Sequence, residues 1–203
     1  MNDSQSASNK SSLRRTFAAA LPAAACRDKL TEFCTQAAAA TGGRPMPAQN
    51  LHITLRFYGD SDPDQIAGQL QRVSQAGKTI ERFLVSVARL RAMPRRHPRL
   101  LWLELVPDPH LLRLHQLQFA KGEEQERRFL PHITAVRAIS SQPVKLPGCS
   151  LNKIGPIEVE SIALIQSHLQ PDGSQYEIIE RFKLANAPPA KKIGNRNQFQ
   201  DGN

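Results

Sequence analysis

Asn50-Leu51-His52-Ile53-Thr54-Leu55-Arg56-Phe57 reads as a strand with two unlike faces. Alternate side chains of an extended strand share a face, so His52 and Thr54 point one way and Leu51, Ile53, Leu55 and Phe57 point toward a core. The pattern recurs downstream as Pro131-His132-Ile133-Thr134-Ala135, where His132 and Thr134 share a face and Ile133 is turned inward. A single His-Ile-Thr on a strand is usually a half-buried patch, and it is the pairing that carries the reading. Two such strands side by side line one groove with two imidazoles and two hydroxyls, the equipment for general acid/base work on a phosphate without a metal.

Upstream, Arg15 to Leu21 reads as a strand, and Ala23 to Ala40 as a helix with Cys26, Leu30, Phe33, Cys34 and Ala37 at three- and four-residue spacing, ended by Gly42-Gly43. Leu13-Arg14-Arg15-Thr16-Phe17 before AAALPAAAC also has the look of a twin-arginine export signal, but Pro22 interrupts the apolar run and strand plus helix is the preferred reading. Downstream, Asp62 caps and Pro63 opens a helix running to about Ala76, with Ile66, Leu70 and Val73 as its buried stripe. One strand is expected over Thr79 to Leu90, a basic loop over Met93 to Arg99, and a strand over Leu100 to Val106. A helix opens at Asp108-Pro109, and a hairpin joins Ile157–His168 to Tyr176–Leu184 around Pro171-Asp172-Gly173-Ser174. This order predicts an α+β fold. Strand, helix and motif strand occur twice, which suggests two pseudo-symmetric αβ lobes. Residues 1–13 and 185–203 are expected to be disordered tails around a domain spanning 14–184.

The composition fits a globular chain: 203 residues, 40% hydrophobic, 22% charged. A net charge of +9 favours a polyanion, nucleic acid before a membrane surface. Cys26, Cys34 and Cys149 have neither disulfide-framework nor zinc spacing, so a cytoplasmic location is expected.

The two His-apolar-Thr motifs resemble those of the two-histidine (2H) phosphoesterase superfamily. More narrowly, several stretches resemble the RNA 2′,3′-cyclic phosphodiesterases, also called 2′-5′ RNA ligases: Arg15-Thr16-Phe17 to Leu21-Pro22, Pro47 to Gly59, Pro98 to Trp102, Arg128 to Thr134, and Ser167-His168-Leu169 through Tyr176-Glu177-Ile178-Ile179. The resemblance implies two lobes with antiparallel sheets flanking a central cleft, each giving one motif. It implies hydrolysis of the cyclic phosphate to a 2′-phosphate, with His52 as general acid on the 3′ oxygen and His132 as the base activating water. Read from residues alone, the two histidines are interchangeable. Thr54 and Thr134 match the family's phosphate-holding threonines, and Arg137 matches its arginine three residues past the second threonine. Strict alternation turns Arg137 away from His132, so a bulge is needed to bring it back. Arg56 is on the correct face but farther along, a second choice for the phosphate. Ala135 stands where a larger aliphatic is usual.

Arg95, Arg96 and Arg99 are either an RNA-guiding rim or a solvated loop. Trp102 and Phe57 could stack on a base but read as core, and His97, His110, His115 and His168 read as ordinary surface or helix residues. Lys191, Lys192 and Arg196 belong to the tail. No metal or other cofactor is expected, and the partner is RNA or a nucleotide with a 2′,3′-cyclic phosphate end, bound by a monomer away from membranes. The alternatives are 2′-5′ ligation, which microscopic reversibility assigns to the same groups, cleavage of 2′-5′ oligonucleotides, and non-catalytic RNA binding.

Overall fold

A computed structural model describes residues 13–123, 128–140, 151–170 and 173–186. Residues 1–12 and 187–203 of the expected tails, Cys149 in the loop after Ser140, part of the charged 121–128 run, Pro171-Asp172, and Lys191, Lys192 and Arg196 lie outside the described residues. The elements are β1 (Arg14–Pro22), α1 (Ala24–Thr41), β2 (Arg44–Pro45), β3 (Ile53–Ser61), α2 (Pro63–Thr79), β4 (Phe83–Val85), β5 (Val87–Met93), β6 (Leu100–Leu105), α3 (Pro109–Gln116), β7 (His132–Arg137), β8 (Ile157–Gln170) and β9 (Gly173–Lys183).

The strands form one open antiparallel sheet in the order β4-β8-β1-β3-β7-β6-β5, with β9 added to β8 and β2 to β7. It is an α+β fold in two halves. One contains β4, β9, β8, β1 and β3, and the other β2, β7, β6 and β5. Among the described residues, the ladder between β3 and β7 has one registered pair, Ile53↔Ile133, at the junction of the halves. The cleft side is the face of the sheet opposite the buried Ile53 and Ile133 at this junction.

β1 is the apolar run that also has the look of an export signal. It lies between β3 and β8 with both faces covered: Ala18 and Ala20 enter the main core, while Phe17, Ala19 and Leu21 join Ala163 and Ile165 in a smaller cluster capped by Tyr176. A strand buried on both sides reads as a continuous apolar run. α1 packs Leu30, Phe33, Cys34, Ala37 and Ala38 inward and ends at Gly42, whose φ of 63° suits a residue without Cβ. Burial pushes the Cys34 thiol up to about 12, so it stays protonated. α2 starts with a capping box in which Asp62 accepts from the Gln65 backbone N–H at 2.8 Å and Gln65 accepts from the Asp62 N–H at 2.9 Å. On its inner face the buried Gln69 bonds Thr16 and Ser61, satisfying three polar groups at once.

The structure changes several expectations. The Thr79–Leu90 strand is instead the end of α2 followed by two strands, since the chain crosses at Ser86 from β8's edge to β6's while the alternation of Phe83, Val85 and Val87 continues unbroken. Asn50 ends a short 3₁₀ turn rather than starting a strand. Phe57 is 61% exposed instead of core. His115 is buried, its Nδ1 2.6 Å from the Leu55 carbonyl and its ring stacked on Phe129.

Candidate functional site

The junction of the halves brings the two motifs together. Counting outward from Ile53↔Ile133 in an antiparallel register sets His52 opposite Thr134, and Thr54 opposite His132. Ile53 and Ile133 are fully buried, which fixes the register and turns the polar residues to the opposite face.

Both histidines are held by one local device. His52 Nδ1 donates to the Asn50 carbonyl at 2.6 Å, and His132 Nδ1 donates to the Leu130 carbonyl at 2.8 Å. With the proton at Nδ1, Nε2 is the free basic nitrogen of each neutral ring. His52 Nε2 accepts from the Thr54 hydroxyl at 3.1 Å. The Thr134 hydroxyl has no partner among the described residues.

Their surroundings differ. His52 is nearly buried, packed against Phe17 at 5.1 Å and edge-on to Tyr176 at 5.3 Å. Burial lowers its pKa from 6.5 to about 4; the Asn50 carbonyl opposes this, and the charges of Arg137 and His132 add to it. His132 stacks on Trp102 with ring centroids 3.7 Å apart and planes 17° from parallel. Its pKa is also lowered, chiefly by burial, but the Leu130 carbonyl and the Glu104 carboxylate push it upward. Glu104 pairs with His132 across β6 and β7 and is held below the usual carboxylate range by Arg89 first and by Arg91. His132 is therefore the easier of the two to protonate.

Two bulges decide which arginine reaches this face. On β7, Leu101 pairs with Val136 and Trp102 with Thr134, leaving Ala135 as an extra residue. Ala135 and Val136 are consequently both buried, and Arg137 returns to the side of His132 and Thr134. Its guanidinium donates to the Tyr176 hydroxyl beside His52, and its Nε is buried without a partner. On β3, Ala18 pairs with Arg56 and Ala19 with Thr54, leaving Leu55 over. Beyond it the faces exchange: Phe57 comes to Phe17 on the cleft side, and Arg56 leaves it. Arg56, a candidate phosphate ligand by alternation, is instead spent behind the strand. It forms an ion pair with Glu123, donates to the Gln118 carbonyl at 2.7 Å and lies 4.2 Å over the Phe119 ring. Glu123 is held down at about 2 mainly by this contact.

Arg95, Arg96 and Arg99 are exposed on the β5–β6 loop, at the end of the half where Leu100 pairs with Arg137, and so away from His132. Sequence reasoning assigned no role to Tyr176 or Glu104 and placed Trp102 in the core. Trp102 and Tyr176 do stand in two of the stretches that carried the resemblance, which was the available signal. Among the described residues no three His, Cys, Asp or Glu side chains are grouped to hold a metal ion, and no helix is long and apolar enough to cross a membrane.

A sequence model of LigT-like phosphoesterases matches residues 21–102, a span that includes His52 and ends at Trp102. The chain is 27% identical over 165 residues to the RNA 2′,3′-cyclic phosphodiesterase of Archaeoglobus fulgidus, covering 77% of this chain and 93% of that protein. It is 30% identical over 155 residues to the RNA 2′,3′-cyclic phosphodiesterase of Aquifex aeolicus, covering 70% and 82%. Among solved structures, a Thermus thermophilus protein matches with a TM-score of 0.69 at 25% identity over 85% of this chain and 98% of its own. E. coli LigT complexed with 3′-AMP shares the fold, with a TM-score of 0.65 at 23% identity over 86% and 99%.

Proposed function

The chain belongs to the LigT-like phosphoesterases of the 2H superfamily and is a hydrolase of phosphodiester bonds, and we propose that it opens RNA 2′,3′-cyclic phosphate ends to 2′-phosphates by paired-histidine catalysis without a metal. The observation that carries this reading is the matched pair of imidazoles, each fixed through Nδ1 to a carbonyl two residues back, meeting across Ile53 and Ile133. The curated relatives named RNA 2′,3′-cyclic phosphodiesterase supply the substrate class.

In this reading one imidazole takes a proton from the attacking water as its oxygen bonds to phosphorus. The bond from phosphorus to the 3′ oxygen breaks, and the second imidazole gives that oxygen its proton. Each transfer contributes about 10²–10⁴-fold in rate. The family resemblance assigns the acid to His52 and the base to His132, but the electrostatics favour the exchange of these roles. His52, pulled down to about 4 and facing Arg137, is neutral at pH 7 and suited to accept a proton, whereas Glu104 helps His132 to carry one. Thr54 passes its hydrogen bond from His52 Nε2 to a phosphate oxygen on binding, freeing the nitrogen. Thr134 holds the other non-bridging oxygen, and Arg137 steadies the transition-state charge. The same groups would run ligation in reverse; water at its normal concentration favours hydrolysis. A cytoplasmic monomer completes the proposal.

The test is hydrolysis of a short RNA with a 2′,3′-cyclic end in excess EDTA, comparing wild type with His52→Ala and His132→Ala. EDTA-resistant conversion to a 2′-phosphate, lost in both variants, is expected. No turnover by wild type together with retained RNA binding would instead indicate a non-catalytic RNA-binding protein. An aryl phosphodiester, whose leaving group needs no proton, separates the roles: His132→Ala should keep activity on it and His52→Ala should not.

A further inference from the structure

Beside the histidine pair, on the side of Arg137, lies a cleft of about 420 Å³ walled by Arg44, Arg137, Gln49, Asn50, Gln170 and Gln175, with Pro45 and Pro47 between them. That volume falls within the range of small-ligand sites. Among the described residues no carboxylate lines it. Arg44 is delivered by β2, whose pairing with β7 sets it directly beside Arg137. Its side chain is exposed and has no partner among the described residues. The buried, unpartnered Nε of Arg137 is a second donor without an acceptor on the same wall. With Ala135 bulged out, Arg44 and Arg137 stand about two strand steps, roughly 7 Å, beyond Thr134. Asn50 joins the cleft to the site itself, because its carbonyl holds His52.

Forked cationic donors suit a phosphodiester, and amides that both donate and accept suit the edges of a neutral base. We propose that this cleft is the subsite for the nucleotide preceding the cyclic end, with Arg44 on its bridging phosphate and the Gln49, Gln170 and Gln175 amides at its base. The inference rests on the proposed RNA cyclic phosphodiesterase reading and deepens it: the substrate is an oligonucleotide, and a cyclic mononucleotide fills only part of the site. Pro45 restricts the backbone of Arg44, the residue before it.

The experiment compares kcat/KM for a 2′,3′-cyclic mononucleotide, a dinucleotide with the same end, and that dinucleotide with a neutral methylphosphonate at the internal linkage, in wild type and Arg44→Gln. Wild type should favour the dinucleotide about tenfold, as a charge-assisted contact implies, and lose that preference with the methylphosphonate. Arg44→Gln should respond little to the neutral linkage. Equal sensitivity of both proteins to the methylphosphonate, or no preference for the dinucleotide, overturns the subsite. If nothing is turned over, the reaction reading fails separately, and binding of the same two dinucleotides by fluorescence anisotropy decides the subsite: discrimination that depends on Arg44 supports it, and its absence overturns it.

Discussion

His52 makes stability depend on pH in a way that can be worked out. Its pKa is 6.5 in the unfolded chain and about 4 in the fold, because Phe17, Tyr176 and the strand packing exclude the water an imidazolium needs. Between these values the unfolded chain binds more protons than the folded one. The sign follows: the contribution is complete above pH 6.5 and is lost as pH falls through 4. The whole gap corresponds to about 3 kcal/mol, of which about 2 kcal/mol is lost between pH 7 and pH 4.5. His52→Asn keeps a donor for the Asn50 carbonyl and removes the titration. In urea unfolding at the two pH values, wild type should lose about 2 kcal/mol more stability than His52→Asn. Taking the difference cancels the acid sensitivity common to both proteins. Parallel losses in the two would refute the claim that the fold keeps His52 neutral.

Glu104→Gln removes the carboxylate that raises His132 and leaves Arg89 and Arg91 unpaired, so the alkaline limb of the kcat/KM profile, read as the histidine pair's, should move to lower pH; an upward move would count against His132 as the proton donor. Arg137→Gln should lower kcat/KM by about tenfold or more, while Arg56→Gln should affect only thermal stability, and equal kinetic losses would contradict the face exchange at Leu55. Gly43→Ala would set a Cβ 2.5 Å from Val136 Cγ1 and 2.9 Å from the Arg137 carbonyl. A loss of about 1–3 kcal/mol in chemical denaturation is expected, and an unchanged midpoint would mean that β7 moves aside freely.

The bulges explain why some of the site was legible and some was not. Thr54 and Thr134 lie two residues from their histidines, before either bulge, and alternation places them correctly. Arg56 and Arg137 lie past Leu55 and Ala135, where one extra residue exchanges the faces and reverses what alternation says of each. A small Ala135 was visible in the sequence as a departure from the usual aliphatic, but nothing in one chain marks which residue a partner strand skips.

By itself the sequence determined the repeated His-apolar-Thr pattern, the caps at Asp62 and Asp108, the α+β order and the resemblance to the 2H phosphoesterases, because each is a local property of neighbouring residues. Tertiary structure alone decided that Ile53 meets Ile133, that Arg137 rather than Arg56 faces the cleft, and that Trp102 and Glu104 attend one histidine while Phe17 and Tyr176 enclose the other. Those relations join residues far apart in the chain through strand register and burial. Register depends on both partner strands, and a pKa depends on everything that displaces water around the ring.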